Sequence, residues 1–178
     1  MQQKNLIGTT MGQYQILDEL GRGGMADVYL AEQSSLRRRV AFKVLKRSLA
    51  EDQAYVRRFH NEAQAAASLV HANIVQIHEV SCIDGVHFIA QEYVQGVNLQ
   101  QYLARSGTLD LRLALLVIRQ TAAALAKAAE QKIVHRDIKP ENIMLSGGHA
   151  LVADFGIARA VTEAVSYTPL TLPTIYAV

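Results

Sequence analysis

The sequence changes in character near residue 96, from short strand-forming runs to longer helix-forming ones, and this change limits the folds available to the chain. The first part contains β-branched and aromatic runs that are bounded by glycine or by polar residues, a pattern typical of strands. Strands are therefore predicted at 14–20, 27–32, 39–45, 73–80 and 86–93. The last two flank Asp84-Gly85, a dipeptide that favours a tight turn, so they should form a hairpin.

Two segments carry the pattern of helices. Residues 52–69 place apolar side chains at helical spacing and contain neither glycine nor proline, and residues 111–130 consist largely of good helix formers. The sequence thus predicts an α+β chain with two lobes joined by a connector at 95–98. The predicted organisation is an N-terminal extension at 1–13, a β-rich lobe with one helix at 14–94 and a mainly helical lobe at 95–164.

Composition excludes several classes of protein. A chain of 178 residues that is 50% hydrophobic suits a packed domain and argues against intrinsic disorder. The formal net charge is only +2, and the short basic run at 37–39 is typical of a solvated turn, so no nucleic-acid partner is expected. The single cysteine, Cys82, allows no intramolecular disulfide, and no apolar run approaches the roughly 18 residues of a membrane span. We expect a cytoplasmic chain, either free or within a membrane-tethered protein.

A glycine-rich turn joins the first two predicted strands. Residues 21–28 read Gly-Arg-Gly-Gly-Met-Ala-Asp-Val, and glycines at such a turn would allow a polyphosphate to approach backbone N–H groups closely. On its own this pattern is more often an ordinary turn. The strand that follows also disfavours a dinucleotide-binding unit, which would need a helix at that point.

Lys43 lies within the predicted strand 39–45. Alternation along a strand places it on the same face as Ala41 and Leu45, so its ammonium belongs to an otherwise apolar face. Such a lysine needs an anionic partner, because burying an unpaired charge is costly, and Glu62 on the following helix could supply one. A solvent-facing lysine without a function remains an equal alternative.

Residues 135–142, His-Arg-Asp-Ile-Lys-Pro-Glu-Asn, form the segment richest in reactive groups. Five of the eight are ionisable, a density that packing does not require. Asp137 has an arginine before it and Lys139 after it, which suits proton acceptance beside a developing negative charge. Asn142 adds a neutral oxygen ligand for a hard cation, and Asp154, which follows a predicted strand at 150–153, is a second candidate metal ligand.

The order and spacing of these motifs resemble the protein-kinase family, specifically the serine/threonine kinases of the bacterial type. The spacings are 22 positions from Gly21 to Lys43, 19 from Lys43 to Glu62, 5 from Asp137 to Asn142 and 12 from Asn142 to Asp154. The resemblance extends over residues 12–159. It implies the two-lobed protein-kinase fold and transfer of the γ-phosphoryl group of ATP to serine or threonine hydroxyls of a protein substrate, with Mg²⁺ or Mn²⁺ as the metal.

The resemblance also implies a role for each matching residue. Asp137 would accept the proton of the substrate hydroxyl or orient that hydroxyl, and Lys139 would neutralise the transferring phosphoryl group. Lys43 would hold the α- and β-phosphates and pair with Glu62, while Asn142 and Asp154 would hold the metal. The residues implied in ATP binding are Leu20, Gly21, Arg22, Gly23, Gly24, Met25, Ala26, Val28, Ala41, Lys43, Gln91, Glu92, Val94 and Met144.

Within that set the resemblance implies a division of labour. Residues 21–28 would cover the phosphates, while Val28 and Ala41 would line the adenine pocket above Met144. Glu92 and Val94 would present backbone groups to adenine. Two positions depart from the family pattern. Ala26 replaces the third glycine of the phosphate loop, which disfavours a positive φ but removes no donor. Gln91, at the rear of the pocket, stands where a bulky apolar residue is more usual.

The segment Asp-Ile-Lys-Pro-Glu-Asn resembles the serine/threonine version of this loop, because tyrosine kinases typically place Ala-Ala-Arg after the aspartate. Arg136 implies, within the family, activation by phosphorylation of the segment that follows Asp154. A homodimer through the first lobe is a further expectation. The alternative from another class is a non-catalytic nucleotide-binding or interaction module, which would have no need to keep all five residues Lys43, Glu62, Asp137, Asn142 and Asp154.

The final segment differs from the rest of the chain. Residues 165–178 contain no charged residue and hold two of the three prolines. They resemble no activation segment of the family, and we interpret them as foreign sequence appended to a reading frame truncated after the Asp-Phe-Gly region. A divergent native terminus is the alternative. Because the family's substrate-docking helices would follow this point, we expect little or no phosphotransfer from these 178 residues alone.

Overall fold

The computed structural model describes residues 6–155. The first lobe is built on a six-stranded antiparallel sheet in the order β1-β2-β3-β4-β6-β5. The strands are β1 Thr10–Met11, β2 Tyr14–Arg22, β3 Ala26–Gln33, β4 Arg38–Leu45, β5 Ile77–Ile83 and β6 Val86–Glu92. The expected hairpin between β5 and β6 is confirmed, and Asp84 and Gly85 at its turn both have positive φ, 50° and 77°. The segment 165–178 lies outside the described residues.

Four helices and a second, small sheet complete the described part of the chain. The helices are α1 Arg47–Ala50, α2 Gln53–Ala67, α3 Leu99–Ser106 and α4 Leu111–Glu130, followed by a 3₁₀ turn at Pro140–Asn142. The second sheet has the order β7-β8-β9, with β7 Val97–Asn98, β8 Ile143–Ser146 and β9 His149–Val152. The expected α+β organisation is therefore confirmed. None of the helices among residues 6–155 combines the length and the hydrophobicity of a membrane span.

The long helices begin where an aspartate can cap them. Asp52 accepts a hydrogen bond from the backbone N–H of Ala54 at the start of α2, at 2.7 Å. Asp110 does the same for the N–H of Leu113 at the start of α4, at 2.9 Å. These side chains satisfy N–H groups that have no partner within the helix. The predicted bounds of α4 are confirmed for this reason, and α2 ends two residues earlier than expected.

The two faces of β4 enter different environments. Phe42 packs in the core on one side of the sheet, where its ring stacks on that of Phe88 with 4.4 Å between centroids. Leu45, on the other face, packs against Phe59 and the small side chains of α2. Lys43 shares this second face, as the alternation predicts, and is 8% exposed.

One apolar core joins the two lobes. Phe59 of α2 packs in the same cluster as Ala124 of α4, Val152 of β9 and Phe155. The segment before β5 adds backbone hydrogen bonds, because the N–H of Val152 donates to Asn73 at 2.8 Å and that of Val75 donates to Val152 at 2.9 Å. The prediction of a strand at 73–80 was therefore wrong for its first four residues: residues 73–75 bind the second lobe, and Gln76 bonds to Glu92 at the end of β6 without belonging to β5. These contacts fix the second lobe against the first.

Candidate active site

A cavity of about 310 Å³ lies between the two lobes. Eight of the residues expected to contact ATP line it, namely Leu20, Gly21, Val28, Ala41, Gln91, Glu92, Val94 and Met144. Both expected metal ligands, Asn142 and Asp154, line it as well. The β2–β4 sheet, the connector between the lobes and β8 each supply part of this lining. Residues distant in sequence are thus brought together around one space.

The glycine-rich turn contributes only part of its length to the cavity. Gly23 closes the turn by donating its N–H to the carbonyl of Ala26 at 2.9 Å. Arg22 points to solvent and pairs with Glu19 at 2.8 Å, and Met25 packs against the core beside α2. Five residues of the turn are absent from the cavity lining, namely Arg22, Gly23, Gly24, Met25 and Ala26.

Ala26 causes none of the strain that its methyl group suggested. It is the first residue of β3, opposite Leu45 of β4, and its side chain is buried. Its φ is not positive. An alanine is therefore as compatible as a glycine with the backbone at this position.

The segment from the end of β6 into the connector runs along the cavity at Glu92, Tyr93, Val94 and Gly96. The backbone N–H of Glu92 is engaged, since it donates to the carbonyl of Gln76 at 2.8 Å. Val94 lies outside all helices and strands, and no backbone group among residues 6–155 is hydrogen-bonded to it. Val94 is therefore free to offer its backbone to a ligand in the cavity.

Gly96 allows the connector to pack against β8. A Cβ atom at this position would lie 2.0 Å from the carbonyl oxygen of Leu145, far closer than any real contact. No pattern in the sequence indicates this close approach. Other lining residues that the sequence did not reveal are Val75, Tyr93, Asn98, Gln101, Glu141 and Ala153. Asn98 and Gln101 form a capping box at the start of α3, and the Asn-x-x-Gln spacing was a signal that could have located this helix.

Lys43 finds its anionic partner in Asp154. Its Nζ lies 2.8 Å from Oδ1 of that carboxylate, and its side chain is 11% exposed. Asp154 follows β9 and has a positive φ of 61°, an uncommon conformation for a residue with a side chain. Glu62 lies on α2, half-buried, and its pairing with Lys43 stays a prediction.

The loop at 135–142 folds around the carboxylate of Asp137. Lys139 Nζ lies 2.8 Å from Asp137 Oδ2. Asn142 Nδ2 donates to the carbonyl of Asp137 at 2.8 Å and, at 3.2 Å, to Oδ2. Burial acts to raise the pKa of Asp137, but the hydrogen bonds and charge from Lys139, together with the Asn142 amide, outweigh it and lower that pKa below its usual value. Asp137 is thus ionised at neutral pH.

His135 supports this loop from beneath, a role that the sequence did not reveal. Its ring is only 2% exposed and contacts that of Phe155, with 4.6 Å between centroids. Nδ1 accepts the N–H of Asp137 at 3.2 Å, so the proton of the neutral ring belongs on Nε2, which donates to the carbonyl of Ala153 at 2.8 Å. Burial lowers the pKa of His135. The ring therefore links Asp137 to the residue before Asp154.

The donor set suits a metal that arrives with a polyphosphate. Asn142 and Asp154 offer amide and carboxylate oxygens to the cavity, and Mg²⁺ is commonly bound by one or two such groups together with substrate phosphates. Because Asn142 uses Nδ2 to bind Asp137, its Oδ1 is the atom left for a cation. Residues 6–155 contain no group of three or more histidine, cysteine or acidic side chains that could hold a metal without the phosphates.

Comparison with known families gives the class of this protein. The family model described as "Protein kinase domain" matches residues 14–177, and the chain therefore belongs to the protein kinase family. The match includes most of the segment 165–178, whose foreign origin stays a prediction. The protein-kinase fold and the recognition of the family from its motifs are confirmed.

Individual relatives are serine/threonine kinases of bacteria. The chain is 46% identical over 160 residues to the serine/threonine-protein kinase PrkC of Bacillus subtilis, covering 89% of this chain and 25% of the relative. It is 38% identical over 158 residues to PknD of Mycobacterium tuberculosis, covering 88% and 24%. The crystal structure of the M. tuberculosis PknI kinase domain matches with a TM-score of 0.77 and 35% identity, over 85% of this chain and 61% of that one. The chain thus spans about a quarter of the length of these curated relatives.

Proposed function

We propose that this chain forms the ATP-binding and catalytic-loop part of a serine/threonine protein kinase, with a protein hydroxyl as acceptor. The observation that carries the proposal is the pair of contacts at the cavity. Lys43 is held at 2.8 Å by Asp154, and Asp137 is held at 3.2 Å by Asn142, with both Asp154 and Asn142 in the lining. Phosphate-binding, metal-binding and proton-accepting groups are therefore adjacent.

The proposed reaction needs little beyond positioning and charge neutralisation. The oxygen of a serine or threonine hydroxyl forms a bond to the γ-phosphorus of ATP, the bond from that phosphorus to the β–γ bridging oxygen breaks, and ADP leaves. The hydroxyl proton passes to Asp137, whose carboxylate is ionised because Lys139 and Asn142 lower its pKa. Lys139 also places a positive charge beside the transferring group.

Lys43 contributes a second positive charge, at the other end of the phosphate chain. Its position on an apolar strand face leaves it few alternative partners, so an incoming phosphate would compete directly with Asp154 for the ammonium. Asn142 and Asp154 would hold Mg²⁺, which supplies charge neutralisation on the β- and γ-phosphates when bound. The proposed protein substrate follows from the serine/threonine kinase relatives, and a homodimer through the first lobe stays a prediction.

The test is phosphotransfer by the complete protein that contains this chain, with γ-labelled ATP and casein as a general acceptor. We expect label on serine or threonine, and a loss of about 10²–10⁴-fold in rate for Asp137→Asn. Asp84→Asn, which removes the same charge at an exposed hairpin turn, should keep full activity. Nucleotide binding without any transfer would favour the non-catalytic module, and transfer unaffected by Asp137→Asn would overturn the role of Asp137.

A further inference from the structure

Two histidines join α2 to the sheet outside the candidate active site. His60 on α2 and His87 on β6 are hydrogen-bonded, with 2.9 Å between His60 Nε2 and His87 Nδ1. The rings are nearly perpendicular, at 87°, with 5.1 Å between centroids, and both are half-buried. The proposed kinase chemistry assigns no role to either residue.

The contact limits how many protons the pair can hold. In the neutral pair, one facing nitrogen carries a proton and the other accepts it. A first added proton binds the nitrogen of the donor ring that faces away from the contact. The hydrogen bond between the rings is then kept and becomes stronger, because its donor ring is charged. A second added proton must occupy the accepting nitrogen, so two donors and two positive charges would then face each other. The contact therefore tolerates one added proton and excludes two.

No neighbouring group favours the charged form of His60. Burial and the neighbouring His87 both lower the pKa of His60. The charged groups on the helical elements packed around the pair are Arg47 on α1 and Arg57, Arg58 and Glu62 on α2. On β5, Cys82 Sγ lies 3.9 Å from His87 Nε2, Glu79 accepts a hydrogen bond from Tyr14, and His78 interacts with Arg38 and with Glu92 of β6. None of these groups contributes to the shift in the pKa of His60.

We propose that His60 and His87 form a proton-sensitive clamp, which holds α2 on the β5–β6 hairpin with at most one added proton and opens with two. α2 also carries Glu62, two residues beyond His60, so opening the clamp would displace the glutamate that is expected to pair with Lys43. This last consequence, a loss of activity at low pH, rests on the proposed kinase function. The clamp itself does not.

A proton fits this contact better than a metal ion does. Residues 6–155 contain no group of three or more metal-ligating side chains that could hold a metal, and a site with only two protein ligands would bind weakly. Cys82 cannot complete one, because its sulfur faces Nε2 of His87 while His60 faces Nδ1. Proton binding needs no further ligand.

The first test is the pH dependence of stability in the 178-residue chain. The unfolded chain binds both protons near pH 6.5, whereas the folded pair binds only one, so stability must fall as the pH falls below about 6.5. From pH 7 to 5 we expect the folding equilibrium constant of the wild type to drop more steeply than that of His60→Gln or His87→Gln, by up to about tenfold per pH unit. His149→Gln, at an exposed histidine, should follow the wild type.

The second test locates the change by hydrogen exchange, corrected for the intrinsic effect of pH. At pH 5 the amides of Gln53–Ala67 should lose protection in the wild type but not in His60→Gln, while those of β3 and β4 stay protected. An identical pH dependence in the wild type and both glutamine variants, or a loss spread evenly over the chain, would overturn the clamp. If one variant fails to fold, the other completes the comparison.

These readouts require neither nucleotide nor catalysis, so the clamp and the proposed function can fail separately. A clamp without Asp137-dependent phosphotransfer would refute only the kinase proposal. Phosphotransfer that depends on Asp137, combined with wild-type acid sensitivity in His60→Gln, would refute only the clamp.

Discussion

The ammonium of Lys43 lies 2.8 Å from Oδ1 of Asp154, so the cation of a buried strand face is neutralised by a carboxylate that lines the cavity. One residue belongs to β4 in the first lobe and the other follows β9 in the second. A phosphate that binds Lys43 and a metal ion that binds Asp154 would break this ion pair, but each residue would gain a new partner of opposite charge. The ion pair therefore holds both groups ready for a ligand of that composition.

The first prediction concerns Lys43. Lys43→Ala should weaken the binding of ATP with Mg²⁺ by about 1.5–3 kcal/mol, because one charge-assisted contact to phosphate is lost. Isothermal titration calorimetry measures the change. Lys127→Ala is the matched control, since that half-buried lysine pairs with Glu130 on α4, away from the cavity. Equal affinity in wild type and Lys43→Ala would remove Lys43 from the site.

The second prediction concerns the ionisation of Asp137. Lys139→Met removes the nearest positive charge, so the pKa of Asp137 should rise towards its usual value. Because the folded-state pKa is lowered, the stability that this group contributes is present above about pH 4 and is lost as the pH falls through the folded-state value. Carboxyl-carbon NMR titration measures the pKa directly. An unchanged pKa in Lys139→Met would contradict the assigned ion pair.

The third prediction concerns His135. Its folded-state pKa is lowered by burial, so its contribution to stability is present above about pH 6.5 and is lost as the pH falls. His135→Ala should cost roughly 2–5 kcal/mol at pH 7.5, since it leaves a cavity and two unpaired backbone groups. It should also reduce the acid sensitivity of unfolding in urea, with the His60–His87 contribution remaining. A cost below about 0.5 kcal/mol would show that His135 does not support the loop.

The fourth prediction concerns Gly96. Gly96→Ala places a Cβ against the carbonyl oxygen of Leu145, so the connector must move away from β8. We expect a loss of about 2 kcal/mol or more in unfolding free energy, together with weaker ATP binding. Gly24→Ala is the matched control for stability, because that position has open space and no positive φ. Its unfolding free energy should differ from that of the wild type by less than about 1 kcal/mol. Equal stability of the two variants would contradict the close packing.

The parts of the fold that the sequence predicts well depend on local patterns. The two faces of β4 follow from alternation, and the start of α4 follows from Asp110, which binds an amide three residues away. The parts that it missed depend on contacts between distant segments. Residues 73–75 have the composition of a strand but bind Val152 of the second lobe, and His135 meets the carbonyl of Ala153 only in the folded chain.

The same distinction applies to the site. The pairing of Lys43 with Glu62 stays a prediction, whereas the ion pair of Lys43 with Asp154 was not predicted. Glu62 is the nearer acidic residue in sequence, but the ion pair in the structure is made with Asp154, 111 positions further along the chain than Lys43. Which carboxylate reaches a lysine depends on how the lobes pack, and a pattern within one strand and one helix contains no information on that packing.

We propose that residues of both lobes hold ATP together with a divalent metal in one cavity. Calorimetric titration of ATP into wild type and Asp154→Asn, each with Mg²⁺ and with EDTA, measures whether they do. We expect EDTA to weaken ATP binding to the wild type, and we expect Asp154→Asn to lose most of this metal dependence while still folding. An equal metal dependence in both proteins, or wild-type binding that is indifferent to Mg²⁺, would contradict this proposal.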